Sequence, residues 1–131
     1  MSKKIVKKLG IFFELNETYF TASIIGVNNA RGTIMFPCSK FDESNEYFIT
    51  KIKEGSFKYN DNINTIIFPD DSKLQIIEKK SFFRSSIQSI TIPSSVELLQ
   101  EGWCSNTNML TKVFISPNNK IYSYVVILNK Q

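Results

Sequence analysis

The chain has 131 residues, room for one domain, and its 42% hydrophobic and 13% aromatic content supports a sizeable core, which excludes disorder as its main description. It carries no histidine, so Ser-His-Asp and Cys-His nucleophile activation, His-ligated zinc and imidazole acid–base chemistry are excluded from it. The net charge of +4 has one address: Lys3, Lys4, Lys7 and Lys8 meet no acid in the first ten residues, and the remaining 12 cations balance the 12 acids.

In chain order, the basic start MSKKIVKKLG looks like the opening of a signal peptide, but its apolar run Leu9 to Phe13 is short and ends at Glu14. Residues 1–10 are therefore predicted to be a basic flexible tail. Four lysines beside an anionic surface, at roughly 1 kcal/mol each, make only a weak and salt-sensitive anchor, so a solvated tail is preferred. The rest reads as β structure, because Ile (18 residues), Ser (15) and Phe (11) dominate and Asn, Asp, Pro and Gly break up short apolar runs. Strands are predicted at Ile11 to Leu15, Tyr19 to Ile25, Thr33 to Phe36 and Tyr47 to Ile52. Turns are predicted at Asn16-Glu17 and Gly26 to Gly32, with a polar hairpin tip of Asp42, Glu43, Ser44 and Asn45 between the last two strands. Asn16-Glu17-Thr18 is also a glycosylation sequon, and the hairpin turn is the preferred reading.

From Ile63 onward the chain repeats itself. INTIIFP (Ile63 to Pro69), IQSITIP (Ile87 to Pro93) and LTKVFISP (Leu110 to Pro117) share one form: apolar, two polar, apolar, one outward residue, apolar, proline, with an extra serine before Pro117. Pro69, Pro93 and Pro117 fall 24 residues apart, and Pro37 lies 32 before Pro69, as if one coil carried an eight-residue insertion. The second halves match too: Ile52, Ile77 and Leu99 stand five positions before Phe57, Phe82 and Cys104. Such a unit cannot bury its apolar face until neighbours stack on it, so the period signals a solenoid.

These phrases resemble the BspA-like leucine-rich-repeat family of bacterial and protist surface proteins. Ile87, Ile90, Ile92, Pro93, Ser94, Ser95, Val96 and Leu99 match its unit, while Trp103-Cys104 replaces its small-residue-plus-Phe pair and seven leucines stand against 18 isoleucines. The resemblance covers residues 49–120 strongly and 11–48 weakly. It implies a right-handed, β-rich leucine-rich-repeat solenoid of about three 24-residue coils with a parallel sheet. An N-terminal antiparallel β meander cap precedes it. The expected division is a tail over 1–10, the cap and first irregular repeat over 11–52, and the solenoid over 53–131. The family further implies a non-enzymatic protein-binding module, at the cell surface or secreted, engaged in adhesion or recognition of a host or matrix protein. The alternative is a cytoplasmic scaffold that self-associates.

With period-2 alternation, Ile66 and Phe68 point inward. Thr65, Ile67, Ser89, Thr91, Lys112 and Phe114 then make one outward face, the expected partner-binding face, with Phe114 its best anchor. Ordinary strand surface is the competing reading. At the other end of the array, Ile121 to Leu128 either folds over the last coil or leaves Val125, Val126, Ile127 and Leu128 as a self-association edge and a route to a homodimer. No catalytic residues, cofactor or metal site is expected. Two cysteines are too few for a Cys-only zinc site, Asp70-Asp71 and Glu54-Gly55-Ser56 read as turns, and Cys104 reads as a small buried hydrophobe. Trp103 is expected to pack, and Cys38, after Pro37 at a strand end, has no assigned place. Nucleic acid is not an expected partner, because the chain beyond residue 10 is neutral and its aromatics fall mostly at buried repeat positions. Nor is there an apolar stretch long enough to span a membrane as a helix.

Overall fold

Alternating β-branched and polar residues make strands wherever one side can be buried. The computed structural model describes residues 3–123, and among these the regular elements are eleven strands with no helix. β1 (Lys3–Lys8), β2 (Ile11–Asn16) and β3 (Thr21–Val27) form an antiparallel meander. Ile11, Phe13 and Leu15 of β2 and Ala22 and Ile24 of β3 are buried on its inner side. Asn16 closes the turn between them: its side-chain oxygen accepts from the N–H groups of Thr18 (2.9 Å) and Tyr19 (3.1 Å).

The flexible tail expected over residues 1–10 is corrected by β1. Lys3–Lys8 pair with β2 along their whole length, from Lys3 opposite Asn16 to Lys8 opposite Ile11. Val6 packs against the core, and two of the lysines that suggested a solvated tail, Lys3 and Lys4, find acids on other strands. Lys4 Nζ donates to Asp42 Oδ2 at 2.9 Å, and Glu14 lies 3.9 Å from Lys3 and 3.4 Å from Lys53. As an edge strand, β1 carries the charge that discourages pairing with another chain.

The first third also departs from a simple meander. The tip at Asp42–Asn45 joins β6 (Asn45–Ile52) not to the Thr33 strand but to β5 (Ser39–Asp42), whose four residues hold a single apolar one, too few to show an alternation. β4 (Gly32–Met35) lies in a different sheet, parallel to β7 (Ile63–Ile67). β6 runs parallel to β3, so the meander passes directly into the stack; Lys53 N–H donates to Ile24 O at 2.9 Å.

β8 (Ile76–Ile77), β9 (Ser89–Ile92), β10 (Leu98–Leu99) and β11 (Lys112–Ile115) complete the chain. One sheet runs β1-β2-β3-β6-β8-β10 with β5 beside β6, and the other, all parallel, runs β4-β7-β9-β11. The solenoid therefore has about four coils rather than three, and the β5–β6 hairpin is the insertion that lengthens the first. Met35 pairs with Ile67, 32 residues on, whereas Thr65 pairs with Ser89 after 24 and Ser89 with Lys112 after 23. Hence Ser116, not Pro117, is the counterpart of Pro93. Their carbonyls close equivalent turns, accepting from Asn119 N–H at 3.0 Å and Val96 N–H at 3.2 Å.

Between the sheets lie stacked aliphatic and aromatic columns. Phe36 stacks on Phe68 with centroids 5.0 Å apart, and Phe57 on Phe82 at 4.9 Å. In the next coil Cys104 takes the Phe position, and the volume it leaves is met by Trp103, 4% exposed, whose ring meets Phe82 edge-on at 6.0 Å. Trp103 packs, and a large residue in the serine slot compensates a small one in the phenylalanine slot. That serine slot ties coils together: buried Ser56 Oγ donates to Ile24 O at 2.8 Å, and Ser81 Oγ lies 3.3 Å from Lys53 O.

At the last described coil, Asn119 Nδ2 donates to Pro93 O (3.0 Å) and Val96 O (3.1 Å) while its Oδ1 accepts from Ile121 and Tyr122. Tyr122 in turn places its hydroxyl 2.8 Å from the N–H of Leu99, satisfying a donor on the edge of β10. The expected self-association residues Val125, Val126, Ile127 and Leu128 lie outside the described residues.

Candidate binding face

The parallel sheet β4-β7-β9-β11 turns alternate residues outward, and its register gathers all six residues singled out from the repeat. Thr33, Thr65, Ser89 and Lys112 are laterally paired into one column. The neighbouring column pairs Met35 with Ile67 and Thr91 with Phe114, and Phe68 N–H bridges its middle by donating to Thr91 Oγ1 at 2.6 Å. Between the outward positions, Ile34, Ile66, Ile90 and Ile92 are buried, which fixes the orientation of the rest.

The two columns differ chemically. In the first, Ser89 Oγ donates to Thr65 Oγ1 at 3.1 Å, and Lys112 supplies an exposed cation at one end. In the second, the Thr91 hydroxyl is held by the backbone of Phe68, the residue after β7, so its methyl group is the part left unengaged between Ile67 and Phe114. Met35 is 70% exposed and Phe114 58%, so an apolar strip ends in two large exposed side chains. The sequence alone does not place Thr33 and Met35 on this face, because it reads the strand Thr33 to Phe36 as part of the N-terminal cap although the Pro37 spacing already suggests a coil with an insertion. The signal was present in TIMFP, which alternates as the later strands do.

Among the described residues, no metal-ligating cluster accompanies this face. Burial first, and then the hydrogen bond from Sγ to Asp71 Oδ1 at 2.9 Å, push the Cys38 thiol up to about 11, so it stays protonated near neutrality. Cys38 and Cys104 are both reduced thiols, and Cys104 is buried. Asp70-Asp71 and Glu54-Gly55-Ser56 lie in turns, with Gly55 at φ 71°. Among the described residues, no group of three or more His, Cys, Asp or Glu side chains is placed to hold a metal ion. Nor, among them, is any helix long and apolar enough to cross a membrane.

Comparison with known proteins matches residues 36–129 to six copies of the BspA type leucine rich repeat region. No curated protein matches the chain in sequence. Among solved structures it is similar to a leucine rich cell surface protein from Faecalibacterium prausnitzii, at 20% identity and a TM-score of 0.69 over 88% of this chain and 32% of that one. It is also similar to the pneumococcal vaccine antigen PcpA (16% identity, TM-score 0.58, 90% of this chain and 39% of that one). A leucine-rich repeat protein from Bacteroides capillosus matches at 19% identity and a TM-score of 0.54, over 86% of this chain and 98% of that one. The chain thus spans about a third of the first protein and two fifths of the second, and the likenesses concern the fold.

Proposed function

The chain belongs to the BspA type leucine-rich-repeat family, and from that premise we propose that it is a non-enzymatic protein-binding module working at the cell surface, in adhesion or recognition of a host or matrix protein. The observation that carries this reading is the apolar column Met35, Ile67, Thr91, Phe114 on a rigid parallel sheet, flanked by the polar column that ends in Lys112. An apolar strip with a polar rim is how protein interfaces divide their work, and exposed large side chains on such a strip tend to dominate the binding energy. Similarity to a protein described as cell-surface supports the location.

Surface plasmon resonance against purified extracellular-matrix proteins tests the face. Phe114→Ser is expected to weaken the tightest interaction about tenfold or more while leaving the melting temperature nearly unchanged. Unchanged affinity moves the site off the sheet. Protease shaving of intact cells tests the location: the protein is expected to be cleaved, and full protection puts it inside the cell.

A further inference from the structure

Each coil returns from the β6-β8-β10 side to the parallel sheet through a six-residue turn, over residues 54–59, 79–84 and 101–106. Stacking these turns assembles a cluster that no single repeat contains. Phe83, half-buried, meets Tyr59 edge-on at 5.8 Å. Around the Phe83 ring stand Lys58 Nζ at 5.8 Å, Lys80 Nζ at 5.8 Å and Arg84 Cζ at 5.4 Å; Lys58 Nζ also lies 5.4 Å from the Tyr59 centroid. Among the described residues, no carboxylate lies within 4.0 Å of any of these three cations, although the chain beyond residue 10 is neutral. Three like charges converge on one ring with no ion-pair partner among the described residues.

Beside Arg84 the surface opens into a depression of about 420 Å³ lined by Arg84, Ser85, Asn106, Asn108 and Met109. Asn16, Asn60 and Asn119 spend their side chains on turns. Exposed Asn106 and Asn108 make no such side-chain bond among the described residues. The backbone supplies a second observation. Left-handed φ closes all three turns, at the equivalent positions Tyr59, Arg84 and Asn106, but Lys80 adopts it as well, at 55°, where the flanking coils use Gly55 and Gly102. A lysine in that conformation is strained, and strain kept against an available glycine points to a use for the side chain.

We propose that this cluster is a second binding site, distinct from the parallel sheet, for an acidic polysaccharide. Lys58, Lys80 and Arg84 pair with its sulfate or carboxylate groups, Tyr59 offers a ring face to the pyranose C–H groups, and Asn106 and Asn108 exchange hydrogen bonds with its hydroxyls. A nucleic acid would call for a longer basic stripe, and a peptide strand for a free sheet edge, which these turns do not provide.

Heparin-agarose is the probe. The full chain is expected to be retained, and the triple variant Lys58→Gln/Lys80→Gln/Arg84→Gln to elute at lower salt, its log affinity falling less steeply with log salt by roughly two to three. The triple Lys7→Gln/Lys8→Gln/Lys120→Gln, which removes equal charge at exposed positions elsewhere, is expected to elute like the parent, as is Phe114→Ser. Asn108→Ala, which breaks no bond within the described chain, is expected to elute earlier from heparin but not from a sulfopropyl resin. Circular dichroism confirms that each variant is folded. Equal loss in the two triples overturns the proposal. So does unchanged retention of the first triple, or retention on polyglutamate or single-stranded DNA columns as strong as on heparin.

Discussion

At the residue scale, two glycines separate backbone strain from lack of space. Gly10 and Gly32 have nearly the same left-handed φ, 73° and 72°, so alanine at either incurs a similar conformational cost of about 1–2 kcal/mol. A Cβ on Gly32 meets nothing within 4 Å, whereas one on Gly10 falls 2.6 Å from Ala30 N and 2.8 Å from Asn29 Oδ1. Gly10 also offers its carbonyl to the N–H groups of Asn28, Asn29 and Ala30, the contact that brings the 28–30 turn against the end of β1. Urea denaturation is expected to show Gly32→Ala costing about 1–2 kcal/mol and Gly10→Ala clearly more. Equal costs would mean that the 28–30 turn simply moves aside.

At the element scale, β1 is held by apolar pairing and by a charge link across the meander. The hydrogen bond from Lys4 holds the Asp42 carboxyl below its usual range, and Asp42 raises Lys4 in return. A depressed carboxylate stabilises the fold above its ordinary pKa of 3.8, and that contribution disappears as pH falls through the depressed value. Asp42→Asn is therefore expected to lower stability near neutrality and to match the parent well below pH 3.8, compared by denaturation at both. Both groups are solvent-screened, so the difference at neutrality is expected to be small. The same strand shows how a sequence reading goes astray. Lys3, Lys4, Lys7 and Lys8 look like a solvated tail because their neighbours supply no acid, while Asp42 and Glu14 arrive only through the pairing of β1 with β2 and of β5 with β6.

At the scale of the whole molecule, a stack is only as sound as its ends. Deleting residues 1–8 uncovers β2, whose Ile11, Phe13 and Leu15 are buried and whose outer backbone edge β1 now satisfies. Light scattering is expected to report a larger mass for the truncated protein than for the parent; two monomers of equal stability would mean that β1 guards nothing. In the interior, each coil contacts only its neighbours, so losses there are local in origin and shared in effect. The two candidate surfaces follow from the same stacking: a residue on one coil becomes a column only when the next coil sets its counterpart alongside.

What the sequence determined by itself was periodic. The 24-residue recurrence of Pro69 and Pro93, with alternating isoleucines before them, suffices for a stacked parallel sheet, because only stacking buries faces that repeat in this way. The same alternation named the outward positions from Thr65 to Phe114, since side-chain direction in a strand is set by parity. Whatever depends on residues far apart in the chain was left to the tertiary structure. It decided that β4 joins the parallel sheet and adds Met35, that β5 is a strand, that β1 is ordered, and that Lys58, Lys80 and Arg84 surround Phe83. Parity and period are local properties of a chain, whereas counterions, coil insertions and clusters built across turns exist only once the coils are stacked.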